Sequence, residues 1–463
     1  MCLGATLRGQ SSATFGHFRT NRDRFGQLRG SRNGTRGALP RYLPGRRPEV
    51  GGQLMQDPVA DTRKDDLRTG APFWLSLPGS HVNFRADPGR DRVDVIIVGA
   101  GISGALLAET LTRAGKRVLV LDRREPVRGS TPASTAMIQH EIDVPLTQLR
   151  KQMAPRDANA AWRRSAKAVS DLVDLTARLG IDCSMQAKPA LYLAGNEMNG
   201  KALQAEAAAR RRIGLRAEFL NPAQLMEGYG MEREGAILSQ DSASANPAQL
   251  AAGLLRAAQK RGAIIAAPVE VSDFAELPSG VAIATKDGRV LTAEHAVFCT
   301  GYEFLQQMQS PLHKVTSTWA IATRVLDEMP GWMRDTIVWE ASDPYLYFRA
   351  DPSGRLIAGG EDEETSEKNS SRSVLKRKAR EIVSKLEALT GVAMGKPDFR
   401  WAAPFSVTDD GLPIIDRVKD HERVFAVMGF GGNGITFSMI AAQIVAAAID
   451  GQSDPDGRLF ALR

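Results

Sequence analysis

The chain has few cysteines and no long apolar run. Its three cysteines, Cys2, Cys183 and Cys299, lie far apart and form no C-x-x-C pair. This spacing argues against a disulfide framework or a structural metal site, and it suits a reducing compartment. No apolar run reaches the ~20 residues of a membrane span, since the longest candidate helix, Ile435–Ile449, is too short and carries the polar residues Gln443 and Ser438. We therefore expect a cytoplasmic protein without a metal site or a membrane span.

Positive charge is concentrated at the start of the chain. Residues 1–54 contain ten arginines against Asp23 and Glu49, which accounts for more than the whole net charge of +7. The remainder is close to neutral, so no nucleic-acid partner is expected for the core. Residues 1–64, rich in Gly, Ser, Asn and Arg, are predicted to be a disordered extension. Three interpretations stay open for this segment: a transit peptide, a weak RNA-binding tail, or a translation start that belongs at Met55.

The 463 residues exceed one ordinary core, so two domains are expected. Residues 65–92 carry Phe73, Trp74 and Leu75 among prolines and glycines. We expect them to form an extended arm that packs on the body, because apolar residues in a linker usually find a surface.

The segment from Asp94 to Asp122 is typical of a dinucleotide-binding unit. An apolar β-branched run precedes Gly99, Gly101 and Gly104, which have G-x-G-x-x-G spacing, and a helical pattern and a second apolar run follow. The glycines permit a tight turn and close approach of the backbone to a pyrophosphate, which the helix N-terminus attracts. Asp122 ends the second run, where a carboxylate can accept ribose hydroxyls.

Two further turns are candidates for cofactor contacts. Residues 129–135 (GSTPAST) combine small and hydroxyl side chains that suit phosphates or a flavin ring, although an N-cap with a proline would explain them equally well. Residues 429–434 (GFGGNG) repeat the glycine spacing, but no strand with a terminal acid follows. This second turn suits a partial negative charge, such as the N1–C2=O edge of a reduced flavin, better than a second adenosine diphosphate.

From about Asp66 onward, the chain resembles the FAD-dependent oxidoreductases of the D-amino-acid oxidase, glycine oxidase and sarcosine oxidase type. The resemblance rests on VIIVGAGISG, GSTPAST, VFCTG and TDDGLPIID followed by GFGGNGITFS. It implies an α/β protein with a doubly wound, Rossmann-like FAD-binding domain and an α+β substrate domain built on an antiparallel sheet. The FAD-binding domain would comprise 93–150, 244–310 and 405–463, and the substrate domain 151–243 and 311–404.

The resemblance also implies a set of FAD contacts. The adenosine, the ribose, the pyrophosphate and the pyrimidine edge of the ring would be held by Gly99, Ala100, Gly101, Ile102, Ser103, Gly104, Asp122, Arg123, Arg124, Ser130, Thr131, Ser134, Thr135, Val269, Thr300, Gly301, Gly431, Gly432, Asn433, Gly434, Ile435 and Thr436.

Three positions depart from the family pattern. Phe405 stands where glycine oxidase-like enzymes have a carboxylate-binding arginine, and Ala403 where sarcosine oxidases tether the flavin through a cysteine. Thr436 replaces the lysine of the sarcosine oxidase turn. We therefore expect non-covalent FAD and no conventional clamp for an amino acid.

Four residues are candidates for the substrate site. Tyr345, Tyr347 and Arg349 share one strand face and could grip a carboxylate, although Arg349 could equally be solvated or ion-paired. Lys314 could approach the flavin N5 and promote oxygen reduction, although an exposed loop lysine is the simpler interpretation.

Together these features predict an FAD-dependent oxidase or dehydrogenase that acts on a C–N bond of an amine or amino acid, with hydride transfer to flavin N5 and O2 or another electron acceptor. The alternatives are oxidation of a hydroxy acid or a polyol phosphate, an RNA-linked flavoprotein that uses the basic tail, and a flavin-binding scaffold without turnover.

Overall fold

The computed structural model describes residues 67–89, 92–303, 305, 308, 313–364 and 371–462. All of them belong to one compact unit, Gln56–Arg463. The predicted disordered extension, residues 1–64, lies outside the described residues.

Within the described residues, the helices are α1 Ile102–Arg113, α2 Leu146–Gln152, α3 Pro155–Leu179, α4 Gly200–Arg212, α5 Pro222–Tyr229, α6 Pro247–Lys260, α7 Gly331–Asp335, α8 Arg372–Thr390 and α9 Gly434–Ile449. The strands are β1 Thr69–Gly70, β2 Val93–Val98, β3 Val118–Leu121, β4 Met137–Ile138, β5 Gln186–Leu193, β6 Ala217–Leu220, β7 Ala236–Ser244, β8 Ile264–Ala266, β9 Val271–Leu277, β10 Gly280–Thr285, β11 Val290–Phe298, β12 His313–Ala322, β13 Ile337–Glu340, β14 Leu346–Ala350, β15 Leu356–Glu363, β16 Phe399–Thr408, β17 Ile414–Arg417 and β18 Val424–Met428.

The first sheet is the doubly wound sheet that the sequence predicted. Its order is β17-β18-β11-β2-β3-β8, with β18, β11, β2, β3 and β8 parallel and with β9 and β10 added antiparallel beside β11. Val95 and Ile97 of β2 pack in the core that contains α1, α6 and α9, whereas Ile96 and Val98 pack in the core on the opposite face. Burial on both faces explains why this strand is apolar throughout.

The second sheet is largely antiparallel, also as predicted. Its order is β1-β16-β12-β15-β14-β13-β5-β7-β4, with β6 beside β7, and its only parallel pair among the described strands is β13 with β5. The hairpin of β14 and β15 turns at residues 351–354, where Gly354 has a φ of 86°. Helix α8 covers part of this sheet, with Ile382 and Leu386 in the shared core.

Helix α9 belongs to the core beside the first sheet. The helical segment Gly431–Ile449 has 19 residues and a mean hydropathy of 1.5, so by length and composition alone it could cross a membrane. It is longer than the apolar run seen in the sequence, because the second glycine turn continues directly into the helix. Most of the segment is buried against α1 and α3, as in the core helix of a folded domain.

The sequence periodicity was misleading between residues 197 and 227. The pattern of apolar residues there is typical of amphipathic helices, but the strand β6 separates α4 from α5. Gly214, with a φ of 87°, ends the first helix, and Asn221 caps the second through its side chain. The helix N-cap and the left-handed glycine override the helical pattern of the apolar residues.

Candidate functional site

A single large cavity joins the two sheets. Its volume is about 830 Å³, near the upper end of the range for small-molecule sites. One end is lined by the turn that follows β2 and by Asp122, and the other by Tyr345, Tyr347 and Asp362. Most of the predicted cofactor residues and two of the predicted substrate residues therefore line the same space, whereas Ala100, Gly104 and Thr436 are not part of the lining.

The first glycine turn has the geometry of a phosphate cradle. Gly99 has a φ of 112°, a conformation that side chains rarely adopt. A Cβ at Gly104 would overlap the carbonyl oxygen of Gly99, so only glycine permits this contact between helix and turn. Helix α1 begins after Gly101 without a side-chain cap, and the hydroxyl of Thr131 accepts a hydrogen bond from the Ile102 amide at 2.9 Å.

Asp122 holds this turn through both carboxylate oxygens. Oδ2 accepts from the Ala100 amide at 2.7 Å, and Oδ1 accepts from the Arg124 amide at 2.8 Å. Burial raises the pKa of Asp122, and the two backbone hydrogen bonds oppose this by favouring the ionised form. Each oxygen keeps a lone pair that could accept a further hydroxyl. The Val269 amide donates to the Asp122 carbonyl at 2.7 Å and brings Val269 to the cavity wall.

Arg123 and Arg124 are both ion-paired with Glu303, which the sequence analysis missed. Arg124 donates to the two Glu303 oxygens at 2.8 and 2.9 Å, and Arg123 pairs with the same carboxylate. Glu303 lies two residues after Gly301 and also lines the cavity. The Thr300 hydroxyl is buried and has no hydrogen-bond partner among the described residues.

The GSTPAST turn is held from behind by three side chains. Trp401, Trp74 and Arg349 donate to the carbonyl oxygens of residues 133, 134 and 135 at 2.8, 2.7 and 3.0 Å. Ser130, Thr131, Ser134 and Thr135 line the cavity. The turn contains one short 3-10 helix, Thr131–Ala133, which has a proline in its first turn but no side-chain cap, and it leads into β4 and not into a longer helix.

The second glycine turn is hydrogen-bonded to the segment before α2. Asp143 accepts from the Gly432 amide at 2.7 Å, and the Asn433 side-chain amide donates to the Glu141 carbonyl at 2.6 Å. The Thr436 hydroxyl donates to the Gln139 carbonyl at 2.7 Å. Gly431, Gly434 and Ile435 line the cavity beside them. One backbone amide of this turn, that of Gly432, is therefore already engaged.

Asp143 lines the cavity, and a second carboxylate affects its pKa. Its side chain is open to the cavity space, although protein surrounds it on the other sides. Burial raises its pKa to about 6, opposed by the Gly432 hydrogen bond and reinforced by the carboxylate of Asp362. These two acids therefore lie close enough to repel one another.

The tyrosine end of the cavity is organised by β14 and β15. The Tyr345 hydroxyl donates to Asp362 Oδ2 at 2.7 Å, and the rings of Tyr345 and Tyr347 lie 5.6 Å apart. Gly359 stands opposite Tyr347, and a Cβ there would lie 2.7 Å from the ring Cζ, so the absent side chain makes room for the phenol. Burial raises the pKa of both phenols, and of Asp362. Both phenols are therefore protonated donors at neutral pH.

Two of the predicted catalytic residues lie elsewhere. Arg349 is on the same strand face as Tyr345 and Tyr347, but it lies beyond the end of the cavity and is 1% exposed. Its guanidinium donates to the backbone carbonyls of residues 135, 245 and 350 and lies over the Trp74 ring, so it is not a substrate clamp. Lys314 has a side chain that is 71% exposed and paired with Asp409 at 3.2 Å, outside the cavity. Its predicted approach to the flavin is wrong.

The sequence analysis also missed the acidic residues at the tyrosine end of the cavity and two of its aromatic residues, Tyr192 and Tyr302. Asp143, Asp362 and Tyr302 line the cavity. Trp339 stacks on Tyr192 at 3.7 Å, and both rings face the same space. Tyr302 could have been found, because it directly follows the VFCTG strand end. Asp143 and Asp362 are distant in sequence, and no local sequence pattern predicts that they line the same cavity.

The fold and the cavity are those of a dinucleotide-binding protein with a second, largely antiparallel sheet that borders the same cavity. The chain belongs to the DAO family of FAD dependent oxidoreductases, whose model matches residues 94–448. The cofactor of this family is FAD, as predicted. The residues present fit it: only glycines suit the first turn, the unpartnered Thr300 hydroxyl faces the same end, and Ala403 provides no sulfur for a tether, in keeping with a non-covalent cofactor.

Known proteins share this architecture. A glycine oxidase of Bacillus licheniformis is 26% identical over 371 residues, which cover 78% of this chain and 94% of that protein. The crystal structure of glycine oxidase from Geobacillus kaustophilus has a TM-score of 0.67 at 22% identity and covers 80% of this chain and 98% of its own. L-proline dehydrogenase from P. horikoshii has a TM-score of 0.67 at 17% identity, with coverages of 81% and 97%.

Proposed function

We propose that the protein oxidises a C–N bond of an amine or amino acid with FAD as the hydride acceptor. The observation that carries this proposal is the shared cavity, in which the dinucleotide turn and the Tyr345–Asp362 pair face one another. Two of the similar proteins are named for oxidation of the amino acids glycine and proline, which supports the same reaction class. FAD bound here would supply flavin N5 as the acceptor of a hydride from the carbon next to nitrogen.

The cofactor would be held by the predicted residues. The free amides at the N-terminus of α1 suit the pyrophosphate, and the remaining lone pairs of Asp122 suit the ribose hydroxyls. Arg123 and Arg124 would lie near the ribose, with their positions set by Glu303. The turn from Gly431 to Thr436 would meet the pyrimidine edge of the ring.

The substrate end provides protonated phenols and a carboxylate. The phenols of Tyr345 and Tyr347 can orient a polar group of the substrate. An ammonium must lose a proton before its carbon can release a hydride, and Asp362 can accept that proton. Its raised pKa makes it a better base near neutral pH than an ordinary carboxylate.

The proposal also includes the division of the chain into two domains. Residues 93–150, 244–310 and 405–463 would form the FAD-binding domain, and 151–243 and 311–404 the substrate domain. The separation of the strands into two sheets supports this division. We further propose a cytoplasmic location and O2 or another small electron acceptor.

The visible spectrum of the purified protein tests the function. We expect a bound flavin band that is bleached under anaerobic conditions by one class of amine or amino acid, and the rate at which colour returns in air separates an oxidase from a dehydrogenase. Bleaching by hydroxy acids or polyol phosphates alone would replace the proposed substrate class. A flavin that no compound bleaches would contradict turnover.

A further inference from the structure

The charged residues of the cavity are divided between its two ends. The described basic residues of the lining are Arg123, Arg124 and Lys286, all at the dinucleotide end. Each is already paired, the arginines with Glu303 and the lysine with Glu270. The substrate end is lined by acidic residues and, within the described part of the chain, by no lysine, arginine or histidine. Its acidic residues are Glu141, Asp143, Glu197, Glu340, Asp343 and Asp362.

Glu141 is paired with Arg210 and Glu340 with Arg233. Among the described residues, Asp143, Glu197, Asp343 and Asp362 form no ion pair, and of these Asp143 and Asp362 act on one another through space. Asp143 accepts hydrogen bonds from the Gly432 amide and the Asn433 side chain, and Asp362 accepts them from the side chains of Tyr345 and Thr318. The Oδ1 atom of Asp362 is buried and has no hydrogen-bond partner among the described residues.

Lys378 is the cation that acts on Asp362 through space, but it binds other groups. Lys378 donates to the Glu361 carbonyl at 2.8 Å and pairs with Glu363 at 2.9 Å. It lies over the Trp319 ring, which is fully buried outside the cavity lining. Lys378 moderates the charge of Asp362 through space but does not cancel it by contact. Two carboxyl groups therefore share one cavity without a counter-ion in contact among the described residues, and ionising both is costly unless a ligand provides the opposite charge.

Aromatic rings complete the environment. The stacked pairs Tyr345–Tyr347 and Tyr192–Trp339 both contribute to the wall beside the two acids. Ring faces attract organic cations, and they bind the methylene groups next to a charged nitrogen by dispersion. Carboxylates beside aromatic rings are a suitable site for an ammonium group.

We propose that the substrate is an aliphatic amine, recognised as a cation by Asp362 and Asp143, and not an α-amino acid held by its carboxylate. This inference rests on the proposed function, because it names the substrate class of the same cavity. A carboxylate would meet two acids there without a compensating base among the described lining residues, since Arg349 is committed to backbone carbonyls.

Calorimetric titration of the FAD-loaded protein under anaerobic conditions tests the charge preference. The probes are propylamine, propan-1-ol and propionate, which have the same carbon skeleton but opposite or no charge, together with glycine. We expect propylamine to bind at least about tenfold more tightly than each of the others, because a charge-assisted hydrogen bond to a desolvated carboxylate is strong. Glycine or propionate binding as tightly as propylamine would overturn the proposal.

Variants identify the residues. Asp362→Asn and Asp143→Asn each keep the side-chain volume and remove one charge, and each should weaken propylamine binding by about tenfold. Asp327→Asn is the matched control, because Asp327 is an exposed acid paired with Arg324 away from the cavity. Propylamine affinity that is unchanged in both cavity variants would overturn the proposal, and either variant alone suffices if the other does not fold.

The same titration separates this inference from the reaction on which it rests. Propylamine that binds with the expected dependence on the two acids, but never bleaches the flavin, would support the cation site and contradict C–N oxidation of that amine. Bleaching by glycine with no binding of propylamine would support C–N oxidation and overturn the cation site.

Discussion

Removing the Asp122 carboxylate should weaken both the fold and FAD binding. Its two oxygens accept backbone hydrogen bonds at 2.7 and 2.8 Å from Ala100 and Arg124. A hydrogen bond to a charged acceptor contributes about 1.5–3 kcal/mol, and neighbouring effects are not additive, so Asp122→Ala should lower the free energy of unfolding of the apoprotein by about 3–4 kcal/mol. Loss of a ribose contact to the same carboxylate would weaken FAD binding by a further ~10–100-fold. Asp122→Asn, which can accept only one of the two bonds, should fall between Ala and wild type.

Urea unfolding of the apoprotein and titration with FAD measure the two effects separately. Asp94→Ala is the control, because Asp94 lies at the opposite end of β2, accepts from the Arg117 amide at 2.7 Å and pairs with the Arg117 side chain. It should lose some stability and keep normal FAD affinity. Wild-type FAD affinity in Asp122→Ala, or an equal loss of affinity in Asp94→Ala, would refute the reasoning.

Three further substitutions test the placements described above. The folded-state pKa of Asp143 is raised to about 6 from an ordinary value of ~4, so wild-type apoprotein should lose stability relative to Asp143→Asn as pH rises from 4 to 6; a melting-temperature difference that is independent of pH would contradict this. Arg349→Lys should destabilise the protein by about 2 kcal/mol or more, because one ammonium cannot replace the planar donors that bind three carbonyls and stack on Trp74, whereas KM in the folded fraction should not change. Lys314→Met removes an exposed pair with Asp409 and should change stability by less than about 1 kcal/mol and leave kcat unchanged; a large fall in kcat would restore Lys314 to the site.

The cofactor end was predictable because its determinants are local. The glycines from Gly99 to Gly104 require one backbone conformation, and the apolar runs on either side specify two parallel strands. Asp122 sits at a strand end, so its distance from the turn follows from strand and helix geometry alone. The hairpin at residues 351–354 is likewise local.

The substrate end depends on contacts between distant segments, which a single sequence does not reveal. The strand parity of Tyr345, Tyr347 and Arg349 was correct, but parity does not say where along the strand the cavity ends. Arg349 lies beyond that end and donates hydrogen bonds to backbone carbonyls. Asp143 and Asp362 come together only because the second glycine turn and β15 border the same space.

The position of Trp74 has a consequence for the smallest active form of the protein. The family match begins at residue 94, whereas Trp74 and β1 precede it. Trp74 donates a hydrogen bond to the carbonyl of Ser134 in the GSTPAST turn, and β1 extends the second sheet beside β16. A fragment trimmed to the family boundary would lose one of the three donors behind that turn. If that fragment were inactive, the cause would be the lost hydrogen bond from Trp74 to the turn and not the loss of a catalytic group.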